Sequence, residues 1–394
     1  MAIPARSIRK SYDTVVACAP VTVPYTRFSP ESAAWWIGRA LHGLLRQSGL
    51  QIKDLDGFAL SSFTAGPDTA IGLTQHLGLC PRWLDHIPLG GASAVVALRR
   101  AARAVQAGDA DIVACVAADT NHVDSFRKTL STFSRFAQDA VYPYGSGGPN
   151  ASFALITKNY MNMFGATRED FGKICVAQRD NALGHPLALM KQKLTLDAYL
   201  AARPIADPIH LFDCVMPCAG AEAFLVCHED TARSLGLKTV RILSTIERHN
   251  AFPDDPVQIR GGWAMDADDL WAMAGVTADA VDFVETYDDY PVISMMQFED
   301  LGFCKKGEGP DFVRSHSLTN DGSFPHNTSG GQLSVGQAGA AGGFLGLVEA
   351  IRHLTDTALG TPVPHAKLGL VSGFGMINYD RGLSSCAAIL ARAS

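Results

Sequence analysis

No apolar stretch in the 394-residue sequence approaches the ~18 residues of a membrane span. The short apolar segment near its start, TVVACAPVTV, is interrupted by Pro20 and followed by Pro24, so it reads as an entry strand rather than a signal peptide. Positive charge is not in excess: 33 Lys and Arg stand against 39 Asp and Glu, a net charge of −6. That gives no electrostatic reason to expect a nucleic acid. Paired cysteine motifs are missing too. Nine cysteines, an odd number without a secretion signal, point to reduced thiols and a cytoplasmic protein. Cys214 and Cys218 in CVMPC have no second pair, so packing is expected and a metal site is not. Nor is there a phosphate loop of the Walker or Rossmann kind; GGASA and GQAGAAGG read as tight turns against helix ends.

What remains is an ordinary globular composition, 47% apolar and 18% charged, long enough for two or three domain-sized units. Strand-like and helical segments alternate. After TVVACAPVTV comes SPESAAWWIGRALHGLLRQSGL, with Ser29 as the expected N-cap, Pro30 at the first helical position and apolar residues at helical spacing. DLDGFALSSF is the next strand. A Gly-rich turn, LGGASA, then opens a helix that buries Val96, Ala97, Ala101, Ala102 and Val105, exposes Arg99, Arg100 and Arg103, and ends at Gly108. DIVACVAA follows as a fully buried strand. The pattern weakens from about 120 to 220, which reads as an insertion over one end of the sheet. The unit of Gly-rich turn, helix and strand returns at 336–380, and an internal duplication accounts for it most simply.

Several of these segments resemble the thiolase superfamily, in its sterol-carrier and lipid-transfer branch. They are AVVALRRAARAVQAGDADIVACVAAD, FEDLGFCKKGEGPDFV, HNTSGGQLSVGQAGAAGG and SGFG. The resemblance implies an α/β thiolase fold: two similar βαβαβαββ halves in a layered α/β/α/β/α core with an inserted loop domain. The first half is expected at 1–120 plus about 221–250, the insertion at about 121–220 and the second half at about 251–394. It also implies a homodimer acting on acyl-CoA thioesters, with coenzyme A as part of the substrate and no tightly bound cofactor.

Departures from the thiolase pattern fall at its chemistry. Counting back from Gly108, the nucleophilic cysteine position falls on Gly91; the other three catalytic positions fall on Tyr287, Gln337 and Ser372. Thiolysis needs a thiolate to hold the acyl group, and glycine supplies none. Ser93 lies two positions beyond and reads as a helix cap rather than a nucleophile. Backbone N–H groups of the turn, at Gly91 and Ala92, with Gly373 and Gly375 bringing a second strand close, still suit a thioester oxygen or enolate.

This combination is similar to that of steroid side-chain CoA aldolases, which use a Tyr where Tyr287 stands. The reaction implied is retro-aldol cleavage, or formation, of the Cα–Cβ bond of a β-hydroxyacyl-CoA. With an ordinary pKa near ~10, a tyrosinate at pH 7 costs about 4 kcal/mol, so Tyr287 is easier to defend as a proton donor or hydrogen-bond partner than as a free base. His326 is a candidate acid or base, with a structural histidine as the alternative. Arg135, Arg179, Lys191 and Lys193 are candidates for the nucleotide phosphates. Two other readings stay open: a cysteine-independent acyltransferase or C–C hydrolase, and a non-catalytic subunit that binds acyl-CoA. The resemblance further implies a small zinc-ribbon and OB-fold partner subunit.

Overall fold

In the computed structural model, which describes residues 11–123, 138–145 and 148–393, strands and helices alternate as the apolar patterning expects. The strands of the main sheet are β1 (Val15–Thr26), β2 (Gly57–Ser61), β3 (Trp83–His86), β4 (Ile112–Asp119), β5 (Ala219–His228), β6 (Thr239–His249), β7 (Phe283–Glu285), β8 (Leu368–Asn378) and β9 (Arg381–Arg392). Among the described residues they form one mixed nine-stranded sheet in the order β3-β2-β4-β5-β1-β6-β9-β8-β7. Outward from the seam between β1 and β6, both sides repeat one pattern. On one side β1–β5 and β5–β4 are antiparallel and β4–β2 is parallel. On the other, β6–β9 and β9–β8 are antiparallel and β8–β7 is parallel. The duplication expected from the repeated turn, helix and strand is therefore visible in the pairing. The seam itself is short, Val16–Cys18 against Thr239–Arg241.

Strand periodicity divides the core. Val113, Cys115 and Ala117 of β4 face one apolar cluster, while Ile112, Ala114, Val116 and Ala118 face another. The first cluster holds α3 (Ser93–Ala107) and α8 (Gly342–Leu354), which fill the middle between the two sides of the sheet. Outside β1–β5 lie α1 (Ala33–Ser48) and α2 (Ala70–Leu77). Outside the other strands lie α4 (Pro149–Phe164), α5 (Arg168–Leu183), α6 (Trp263–Ala274) and α7 (Pro291–Asp300). The result is the α/β/α/β/α layering. No described helix is long and apolar enough to cross a membrane.

Helix ends follow local chemistry, with one change from the expected caps. Gly108 ends α3 in the left-handed region at φ 78°. Ser32, not Ser29, caps α1, accepting the Trp35 N–H at 3.3 Å, and the helix starts after Pro30 rather than at it. The Ser29 hydroxyl instead accepts from the Glu31 N–H and the Trp36 indole N–H.

Candidate active site

A cavity of about 670 Å³ opens beside the Gly90–Ala92 turn and the C-terminal ends of β4 and β8. Residues of α4, α5 and the segment 203–218 close its other sides. Most of the lining is apolar, including Phe63, Phe153, Phe212, Phe374, Met190 and Met376.

Tyr287 lies in the turn between β7 and α7 and lines this cavity. Its ring packs on the Gly-rich turn. A Cβ built on Gly91 would come closer than 3.0 Å to Cε2 and Cζ of Tyr287 and to the Phe374 carbonyl oxygen, which real Cβ atoms essentially never do. Glycine is thus required where the nucleophile position falls, because the tyrosine ring fills the space a cysteine would use. Gly373 and Gly375 serve the same close packing. A Cβ on either would collide with the backbone oxygen of Gly91 or Leu89.

The two aspartates after Tyr287 differ sharply. Asp288 is buried and accepts the Gln332 N–H at 3.0 Å, the Gln332 side-chain amide at 3.3 Å and the Leu333 N–H at 3.3 Å, capping the short helix Gly331–Val335. Burial outweighs those donors and pushes its carboxyl up to about 6. Asp289 turns to the cavity, and its Oδ1 is buried with no hydrogen-bond partner among the described residues. Burial, opposed by the Tyr287 hydroxyl and reinforced by Asp288, pushes it up to about 7. The Tyr287 hydroxyl is in turn driven well above its ordinary value, first by burial and then by the Asp289 charge, while the Gln337 amide pulls it back. Behind the ring, Gln297 donates to the Tyr287 carbonyl at 2.8 Å, and Ser372 donates to Gln297 Oε1 at 2.6 Å.

Of the residues singled out from the sequence, Tyr287, Gln337, Gly91, Gly375 and Arg179 line the cavity. Gln337 sits there with its side-chain amide on the Gly339 carbonyl, 3.3 Å, and its backbone N–H on Met216. Ala92, Gly373, Ser372 and His326 are not in the lining. The Ala92 N–H already donates to the Leu89 carbonyl at 3.1 Å. His326 is fully buried, with Nε2 2.7 Å from the Thr286 hydroxyl and its ring edge-on to Phe298 at 4.8 Å. Burial lowers it to about 3, so it stays neutral, a core histidine rather than an acid or base at the cavity.

Among the phosphate candidates, Arg179 is buried, donating to the Ser334 hydroxyl and the Gln192 carbonyl. Lys191 instead ties down the His185 and Pro186 carbonyls, and Lys193 is exposed away from the cavity. Arg135 lies outside the described residues. Exposed Arg27 and Arg203, which the sequence did not single out, do line the cavity. So does Asn150 of α4, which accepts the Tyr290 hydroxyl, while Phe153 stacks on that ring at 4.2 Å. Cys214 and Cys218 contribute thiols to the wall, and burial pushes both up, Cys214 to about 12. Neither is a thiolate near neutral pH.

The chain is similar to known proteins over most of its length. Residues 249–392 match the family described as thiolase C-terminal domain-like. The chain is 30% identical to the 17-hydroxy-3-oxo-4-pregnene-20-carboxyl-CoA lyase of Mycobacterium tuberculosis, over 85% of this chain and 90% of that one. It is also 30% identical to the steroid side-chain-cleaving aldolase of Thermomonospora curvata, over 91% of this chain and 96% of that one. Among solved structures, an Ltp2-ChsH2(DUF35) aldolase superposes with a TM-score of 0.83 at 25% identity, covering 96% of this chain and 98% of that one. The chain belongs to the thiolase superfamily, in the sterol-carrier-type branch that includes these CoA lyases.

Proposed function

We propose that the protein is a CoA-thioester-dependent carbon–carbon lyase of the aldolase type, cleaving the Cα–Cβ bond of a β-hydroxyacyl-CoA. The observation that carries the reading is the Tyr287 ring packed on Gly91. It puts a hydroxyl, in place of a thiol, beside the turn that opens α3. Its relatives of comparable length, named as a CoA lyase and a side-chain-cleaving aldolase, support the same chemistry. Covalent acyl transfer has no support in the cavity, whose thiols are held protonated by burial.

The β-hydroxyl of the substrate meets the Tyr287 hydroxyl, with the Gln337 amide favouring negative charge on the tyrosine oxygen. As the hydroxyl loses its proton, the Cα–Cβ bond breaks, a carbonyl compound leaves and a thioester enolate remains. The Gly91 amide, at the positive end of α3, faces the developing oxyanion; the Ala92 N–H is engaged by Leu89. Protonation at Cα then completes the shorter acyl-CoA. The mostly apolar wall fits a bulky apolar acyl group, and Arg27, Arg179 and Arg203 are the charges available to the nucleotide end.

A homodimer and a small partner subunit belong to the same proposal, the latter because the similar Ltp2 aldolase was solved with a DUF35 protein. A cytoplasmic setting agrees with nine cysteines that are all free. The test is product analysis by mass spectrometry, with the full chain alone and with a DUF35-type partner, on a β-hydroxyacyl-CoA bearing a polycyclic β-substituent. The expected result is a carbonyl compound plus a shorter acyl-CoA, slowed on the order of 10²–10⁴-fold by Tyr287→Phe. Acyl transfer to a second nucleophile, or no cleavage in either format, overturns the reading.

A further inference from the structure

We infer that Asp289 is the group on which the substrate's hydroxyl proton comes to rest, with Tyr287 conducting it. The inference rests on the lyase reading and answers a question that reading leaves open. Buried Tyr287 is driven further from ionisation than a free tyrosine, so its oxygen is a poor final acceptor. An acceptor that borders the same cavity, within reach of the Tyr287 hydroxyl, and has an oxygen not taken by another donor is needed.

Asp289 alone on this turn meets these conditions. Asp288 spends its oxygens on three donors of the segment 332–333 and is absent from the cavity wall. Asp289 borders the cavity with a buried, unpartnered Oδ1, and its side chain and the Tyr287 hydroxyl perturb each other directly. An unpaired buried carboxylate oxygen is costly to keep in a folded protein. A use in the reaction explains its retention. The titratable and charged groups around it are Tyr287, Asp288 and Tyr290 from its own turn and Cys214 from the opposite wall. Asp119, Arg27, Arg179 and Arg203 border the same cavity.

The step balances without a co-reactant. The β-hydroxyl proton passes to the Tyr287 oxygen as the Tyr287 proton passes to the Asp289 carboxylate. The O–H electrons become the new C=O bond, and the Cα–Cβ pair moves into the enolate. The same proton returns through Tyr287 to Cα, leaving Asp289 ionised. Only ionised Asp289 starts the cycle, so cleavage rises with pH through about 7, where its carboxyl stands.

The experiment is the pH profile of kcat/KM for cleavage of the polycyclic β-hydroxyacyl-CoA by the full chain with its partner. Wild type is compared with Asp289→Asn and Asp289→Glu, and affinity for the shorter acyl-CoA product and thermal unfolding are followed in each. Asp289→Asn is expected to lose activity on the order of 10²–10³-fold and to lose the rising limb, with product affinity kept. Asp289→Glu is expected to recover part of the rate with the limb displaced. An Asn variant within about threefold of wild type that keeps the limb overturns the inference and leaves the lyase reading standing. A wild type that cleaves nothing overturns both. Infrared difference spectra of the ligand-free chain give an independent check. Buried Asp288, Glu222 and Glu285 titrate in the same range, so the Asp289 signal is the part of the carboxyl band near pH 7 that Asp289→Asn removes, and a titration unchanged by that substitution overturns the assignment.

Discussion

The molecule uses one local device twice, with opposite outcomes. In the first half a 3₁₀ turn, Gly90–Ala92, runs into α3; in the second, Gly339–Ala341 runs into α8. Gly90 and Gly339 share the same left-handed φ of 54°, and the units pack so closely that a Cβ on Gly343 would meet the Gly91 backbone within 3.0 Å. The second turn is filled by the protein itself. Asp119, from the end of β4, accepts the Ala340 N–H at 2.6 Å while its other oxygen accepts from Ser62, Phe63 and Thr64. Among the described residues the first turn receives no such carboxylate; it faces the Tyr287 ring and open volume. A helix start that favours negative charge has been satisfied internally in one copy and left open to the cavity in the other.

Breaking the open copy should have the largest effect. Gly91→Ala forces a Cβ into the Tyr287 ring and the Phe374 carbonyl, so cleavage is expected to fall on the order of a hundredfold. Overpacking should also cost about 1–3 kcal/mol in thermal unfolding. Gly91→Cys should behave alike and gain no thiolase activity; an active thiolase would show that the tyrosine moves aside at no cost. Emptying the filled copy by Asp119→Ala strands the Ala340, Phe63 and Thr64 amides, a loss of about 3 kcal/mol in urea unfolding.

The turn that carries Tyr287 sets a pH dependence. Asp288 and Asp289, held at about 6 and about 7, bind protons in the folded state that the unfolded chain, near ~3.9, has already released. Their contribution to stability is full below the unfolded value and is lost as pH rises through 6 to 7. Asp289→Asn should therefore flatten part of the fall in melting temperature between about pH 5 and pH 8. An unchanged slope would mean Asp289 titrates as an ordinary surface carboxyl. The smallest expected effect is that of Ser93→Ala. The Ser93 hydroxyl donates to the Ile87 carbonyl at 3.0 Å and accepts the Leu89 N–H at 3.2 Å, bracing the open turn. Its loss should cost ~1 kcal/mol and leave cleavage within about threefold, whereas a nucleophilic serine would lose nearly all activity.

Much of this was legible in order along the chain. The α3 helix runs unbroken, so counting back from Gly108 reaches Gly91, and the continuous apolar run of β4 marks a strand buried on both faces. Tyr287 and Gln337 likewise come to the cavity. His326 does not: its backbone bridges to Val284, and that pairing carries the ring into the core against Phe298. The choice between Asp288 and Asp289 depends on how one turn meets the segment 332–333, which periodicity does not encode. Arg27 and Arg203 are brought to one cavity by tertiary folding alone, while Lys191, nearer in sequence to Arg179, is spent on local carbonyls.

The clasp from Ser372 through Gln297 to the Tyr287 carbonyl bears on timing. With its backbone held from behind and its ring seated on Gly91, the tyrosine has little rotamer freedom left to surrender when substrate arrives. In the proposed reaction, the ordering entropy of the Tyr287 hydroxyl is lost when the chain folds, not at each encounter. Loosening the clasp by Ser372→Ala would therefore slow the chemical step more than it weakens acyl-CoA binding, a signature of disturbed pre-alignment at a residue that never meets the substrate.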